Sequence, residues 1–161
     1  MILSCEPTRI RVIEPDTPIT QFVFNELRVG DAVTRSVTFS PDMVAAFATL
    51  SGDHSRIHHD SAFARSAGYE RPVVHGQLVF MPFSMMIGSH LPGEGCVIRN
   101  QSISFRRPVY CGRALTYMVL VERLRPAYQL VHLTLSVSDG ANAVATGDCE
   151  CQAAGGRGAA R

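Results

Sequence analysis

The residues best equipped for chemistry lie close together in the first half of the chain. The run Ser51-Gly52-Asp53-His54-Ser55-Arg56-Ile57-His58-His59-Asp60 holds three of the six histidines of the protein. Asp53 and His58 stand five positions apart in a segment too polar and irregular for a helix or strand. On one loop they can converge on a single water, the carboxylate accepting its hydrogen bond and the neutral imidazole relaying a proton. Downstream, His75-Gly76 opens an apolar run, Gly76 to Ile87 (GQLVFMPFSMMI), which reads as a buried helix because it is apolar on nearly every side. A glycine at such a start offers an unobstructed N–H at the positive end of the dipole, where negative charge on an oxygen is stabilised. Water activation beside such a donor suits adding water across an α,β-unsaturated carbonyl, or removing it.

The elements that must position these groups follow from pattern. Ser40-Pro41-Asp42 is a helix start: a capping serine, a proline at the first helical position, an acid near the dipole's positive end. Met43, Val44, Phe47 and Leu50 continue at helical spacing to Gly52. Ser61 to Ser66 reads as a short helix capped by Asp60 and closed before Gly68. Strands are predicted over Val33 to Phe39, Val97 to Phe105, Leu115 to Leu124, Leu130 to Ser138 and Ala143 to Cys151, the last two joined by the turn Asp139-Gly140-Ala141-Asn142. One buried helix with consecutive strands implies an α+β domain, an antiparallel sheet packed on that helix. Residues 1–25, with Pro7, Pro15 and Pro18, read as an extended lead-in with at most a short edge strand. Residues 26–152 form the domain, and residues 153–161 a disordered tail.

Composition narrows the class. The chain has 161 residues, 46% hydrophobic and only 18% charged, with formal net charge +1. That excludes a disordered chain and gives no global attraction to nucleic acid. A charge-poor surface suits coverage by a second copy, so a homodimer is expected. Five cysteines show no framework spacing and read as free thiols in a reducing, cytoplasmic compartment; Cys149 and Cys151 fall on one face of a strand. No apolar run is long enough to span a bilayer, and no signal peptide is evident.

Residues 52–76, GDHSRIHHDSAFARSAGYERPVVHG, resemble the signature of the MaoC-like, (R)-specific enoyl-CoA hydratases, whose motif runs G/E-D-x-N-P-x-H-x-D and then, further on, HG. The likeness extends over about residues 26–151, including LPGEG, Ser102 to Phe105 and Pro108-Val109. The resemblance implies a hotdog fold, a central helix wrapped by an antiparallel sheet, in a dimer. It also implies reversible hydration of trans-2-enoyl thioesters of CoA or acyl carrier protein, without metal or redox cofactor. Carried onto this sequence, Asp53 and His58 are the catalytic pair and Gly76 the oxyanion donor; His75 orders the helix start and Ser84 supports the aspartate. Arg106 and Arg107 are candidates for the phosphate-bearing arm, though a solvated strand end explains them as simply.

The departures are specific. Ser55-Arg56 replaces the motif's Asn-Pro, and Arg56 brings a cation expected to lower the Asp53 pKa. Pro82 stands inside the central helix, where it removes the bond to the Leu78 carbonyl and kinks the chain before Ser84; in an apolar helix, Ser84 also bonds readily back to the Phe80 carbonyl. Other readings stay open. Asp53 alone can be a helix cap and His58 a satisfied loop histidine. His54, His58, His59 and Asp60 can be metal ligands, although they crowd one loop without a distant partner. A hotdog thioesterase needs a carboxylate on the central helix, and Gln77 to Ile87 contains none. A non-catalytic acyl-thioester binder is the remaining alternative.

Overall fold

Strict alternation from Leu130 onward produces β5 (Leu130–Asp139), with Val131, Leu133, Leu135 and Val137 buried and the polar residues between them on the outer face. The chain returns through Gly140-Ala141 into β6 (Asn142–Gln152), and Gly140 takes the positive φ of 59° that such a hairpin demands. β4 (Ala114–Arg125) pairs with the other side of β5, β2 (Asp31–Thr38) with β4, and β3 (Val97–Phe105) with β6, all antiparallel. The computed structural model describes residues 6–20 and 22–153. Of the tail expected over 153–161, Ala153 is instead buried in the core with its N–H on the Gln129 carbonyl at 3.2 Å; residues 154–161, and the thiol of Cys5, lie outside the described residues. Cys96, Cys111, Cys149 and Cys151 are free thiols; Cys149 and Cys151 share the buried face of β6.

The expectation of a purely antiparallel sheet is corrected at one edge. β1 (Arg9–Val12) joins β2 in parallel, giving the order β1-β2-β4-β5-β6-β3. A long connection, rather than a hairpin, brings the chain back beside β1 in the same direction. The edge is held by a fork from Arg9 onto Asp31, at 2.5 and 2.6 Å, and Asp31 also accepts the Arg28 N–H. Ile13 and Phe24 reach the core, so the lead-in packs against the domain rather than trailing from it.

The helices follow their capping residues. α1 (Pro41–Ser51) begins with the Ser40 side chain accepting the Met43 N–H and ends at Gly52, whose φ of 76° requires glycine. α2 (Ser61–Ser66) is capped by Asp60, which accepts the N–H groups of Ala62 and Phe63 at 2.9 Å. The central helix is divided by Pro82 into α3 (Gly76–Phe80) and α4 (Pro82–Ser89), although Met81 keeps helical angles. Pro82 has no N–H to give Leu78, and the Leu78 carbonyl accepts from Met81 at 3.2 Å instead. Leu78, Val79, Phe83, Met86 and Ile87 turn into the core against the sheet. Buried Tyr117 of β4 donates its hydroxyl to the Val79 carbonyl at 2.8 Å, fixing helix to sheet.

Candidate active site

Three local structures deliver the Asp53–His58 pair. Gly52 keeps the last helical bond, its N–H on the Ala48 carbonyl, but its left-handed backbone turns the chain out of α1, so Asp53 emerges directly from the helix end. Asp53 Oδ1 accepts the Ser55 N–H at 3.1 Å, turning the chain. Residues Arg56–His58 then make one tight helical turn, with the His58 N–H on the Ser55 carbonyl at 3.0 Å. The turn that the motif builds with Asn-Pro is thus formed here by Ser55-Arg56.

His58 Nδ1 lies 2.8 Å from the Val73 carbonyl, an acceptor only, so this nitrogen carries the proton in the neutral ring. Nε2 is left with its lone pair, 3.8 Å from Asp53 Oδ2. That separation is too long for a direct hydrogen bond and suits one water touching both groups. The Asp53 side chain is 49% exposed and that of His58 15%, so the pair is open to a substrate on one side.

His75 builds the floor. It is 2% exposed, its Nε2–H donates to the Asp53 carbonyl at 3.0 Å, and its ring stacks on His58 with centroids 3.7 Å apart and planes 26° apart. Phe47 of α1 closes the other side of His75 at 5.0 Å. The histidine before the glycine therefore positions both members of the pair. Sequence spacing gave no signal for that role beyond its place beside Gly76. Gly76 is the first residue of α3, so its N–H has no acceptor within the helix. A Cβ there would meet the Phe105 ring at 3.0 Å, which explains the glycine in steric terms and reveals Phe105 as a neighbour the sequence did not disclose.

Arg56 does not approach Asp53 as expected. It lies over the Phe63 ring, 4.7 Å from the centroid, and pairs with Asp60 at 2.7 Å. The signal was present as i,i+4 spacing. Asp60 is consequently the perturbed acid: the Phe63 N–H, then Arg56, lower its pKa to about 2. Ser84 is exposed and lines a separate surface cavity with Phe80, Ile98, Arg99, Asn100 and Gln101, so within the protomer it is not brought to Asp53. His54 and His59 are exposed beside the pair.

Two cavities meet at His58. One, of about 420 Å³, contains Gly76, Phe105, Arg106 and Arg107; the other, of about 640 Å³, lies beneath α1 and contains His54, His59, Arg71 and His75. Arg106 and Arg107 are exposed at the rim of the first. Asp53, His58 and His75 offer ligand atoms within 4.8 Å of one another. Yet the two imidazoles are stacked, and an ion shared by both must sit between nearly parallel rings, off the in-plane lone pair of each.

Comparison with known proteins identifies the fold and the family. The chain is 41% identical over 111 residues to the (R)-specific enoyl-CoA hydratase of Aeromonas caviae, spanning 69% of this chain and 83% of that protein. It is 39% identical over 99 residues to the mitochondrial 3-hydroxyacyl-[acyl-carrier-protein] dehydratase of Arabidopsis thaliana, spanning 62% of this chain and 58% of that one. The solved structure of the (R)-hydratase from A. caviae superposes with a TM-score of 0.75 at 38% identity, covering 79% of this chain and 97% of that one. The fold is that of the hotdog hydratases. The family model for the MaoC like domain matches residues 25–142, and the chain belongs to that family.

Proposed function

We propose that the protein is a hydro-lyase that reversibly hydrates a trans-2-enoyl thioester to the (R)-3-hydroxyacyl thioester, with Asp53 and His58 handling the water and the Gly76 N–H holding the thioester carbonyl. The single observation that carries this reading is the 3.8 Å gap between Asp53 Oδ2 and the unprotonated Nε2 of His58, beside the free N–H of Gly76. In hydration, the water gives its hydroxyl to C3 and a proton to this pair, which returns a proton to C2. The enolate oxygen formed between these steps sits on the Gly76 N–H. Arg106 and Arg107, on the Gly76 cavity, receive the phosphate-bearing arm of CoA or a carrier protein.

The proposed reaction needs no metal or redox cofactor: the water is handled by Asp53 and His58 Nε2, and the stacked rings of His58 and His75 are poorly disposed to share an ion. Chelator treatment is expected to leave turnover unchanged, and loss of activity restored by added zinc would contradict this. The working form is a homodimer. β3 is an edge strand with Val97, Ile98 and Phe105 exposed, and Phe80 and Ser84 of the central helix share a surface cavity with its Ile98 to Gln101. No helix among the described residues is long and apolar enough to cross a membrane. The free thiols suit a cytoplasmic setting.

The test supplies short and medium enoyl-CoAs and follows loss of the conjugated-thioester absorbance. Wild type turns over, and Asp53→Asn loses about 10²–10⁴-fold. Equal inertness of both proteins across CoA and carrier-protein substrates would sink the reading, and thiol release instead would indicate a thioesterase.

A further inference from the structure

The water-handling pair leaves one cluster of reactive side chains unused. Three thiols meet where the central helix ends against the sheet: Cys149 and Cys151 on the buried face of β6, and Cys96 just before β3. The turn after α4 delivers Cys96. The Gly93 N–H returns to the Ile87 carbonyl at 2.9 Å, and the Cys96 N–H to the Gly93 carbonyl at 3.1 Å. The Cys96 thiol then donates to the same Ile87 carbonyl at 3.4 Å. Cys151 stands opposite Ile98 in the β3–β6 ladder, beside the start of β3, and its thiol donates to the Val131 carbonyl at 3.8 Å. The thiols of Cys96 and Cys151 are within hydrogen-bond reach of each other, as are those of Cys151 and Cys149.

The three sulfurs are not equivalent. Cys149 and Cys151 are buried, whereas Cys96 is half-buried and follows the exposed pair Glu94-Gly95, within reach of small solutes. The Cys151 thiol, helped by the Gly93 backbone, draws the Cys96 thiol below its ordinary pKa against the effect of burial. Cys151 is pushed the other way, by its two sulfur neighbours and by burial. An accessible sulfur that ionises readily, backed by a protonated one, is the arrangement of an oxidisable thiol with a resolving partner. Among proteins of reducing compartments, disulfides serve such transient roles.

We propose that Cys96 is an oxidation site for hydroperoxides and that Cys151 resolves it to an intramolecular disulfide. The Cys96 sulfur attacks the terminal peroxide oxygen; the O–O bond breaks, an alcohol or water leaves, and a sulfenic acid forms. The Cys151 sulfur displaces that hydroxyl: an S–S bond forms, the S–O bond breaks, and the Cys151 proton leaves with the hydroxyl as water. Two thiols lose two electrons in all, and one hydroperoxide gains them. The bridge joins residues far apart in sequence and pins the turn after α4 to β6, which stabilises the fold by restricting the unfolded chain.

The test treats the reduced full chain with hydrogen peroxide, alkylates the remaining thiols in denaturant and maps the peptides by mass spectrometry. The wild type loses two of its five alkylatable thiols as a Cys96–Cys151 bridge, and its urea midpoint rises and returns on reduction. In Cys151→Ala the Cys96 sulfenic acid accumulates and is trapped by dimedone, and Cys149→Ala still forms the bridge. Cys96→Ser, which alters a half-buried side chain, forms none and carries the test if Cys151→Ala fails to fold. A bridge between any other pair, or between two copies, overturns the proposal. So do five thiols left free after treatment, Cys96 carried to sulfinic acid without a bridge, or a bridge that lowers the midpoint.

Discussion

Alanine at position 76 probes the oxyanion donor through one methyl group. The added Cβ would sit 3.0 Å from both Cε2 and Cζ of Phe105, where ordinary contact begins nearer 3.4 Å, so either the ring or the start of α3 must shift by a few tenths of an ångström. Phe105 is 46% exposed on the sheet edge and can swing, which keeps the packing cost near the low end of the usual 1–3 kcal/mol for an inserted carbon. Helix propensity returns less than the roughly 0.5–1 kcal/mol of an interior position, because Gly76 is the first residue of α3. Stability is therefore expected to change by no more than about 1 kcal/mol, read by urea denaturation. Activity is more sensitive, because the Gly76 N–H must aim at one oxygen; losing such a donor costs about 10²–10³-fold in kcat, and partial misplacement about tenfold or more. The decisive assay is a double-mutant cycle in enoyl-CoA hydration. Gly76→Ala costs much less in the Phe105→Ala background, where the methyl has room. If the penalty is the same in both backgrounds, the clash is not its cause and the reasoning is refuted.

Two further outcomes are expected. Tyr117→Phe removes the buried hydroxyl bond to the Val79 carbonyl and destabilises the fold by about 1–2 kcal/mol in urea denaturation; an unchanged midpoint would show that the helix does not depend on this bond. For Asp60, the folded-state pKa of about 2 lies below the unfolded 3.8, so its cap on α2 is fully present above about pH 4 and is lost as pH falls through 2; a carboxyl NMR titration with its midpoint at the ordinary value would contradict the Phe63 and Arg56 contacts.

Much of this architecture was legible in the residues because its signals are local. Ser40, Gly52 and Asp60 sit where caps must sit, the alternation from Leu130 gives its own strand, and Asp139 to Asn142 is a hairpin turn. Asp53 and His58 were readable as a pair because one loop carries both. What escaped depends on contacts between distant segments. Arg9 meets Asp31 across 22 positions, and that charge pair, not periodicity, marks β1 as a parallel strand. His75 reaches the Asp53 carbonyl across another 22, and Phe105 covers Gly76 from a strand 29 residues on. Where Ser84 faces is not readable from sequence, because a helix position says which residues share a face, but not which face meets the site once Pro82 divides the helix. Arg56 has two acids within reach in sequence, Asp53 and Asp60, and the i,i+4 geometry of the turn decides in favour of Asp60.

The central claim is that Asp53 and His58 act on one water as a unit. The most direct measurement is kcat for Asp53→Asn, His58→Gln and the combined variant on the same enoyl-CoA. Groups that share one proton-handling step are strongly non-additive. Each single change is expected to remove about 10²–10⁴-fold, and the double variant to fall little further. Penalties that multiply in the double variant, or a single variant that retains wild-type turnover, would contradict it.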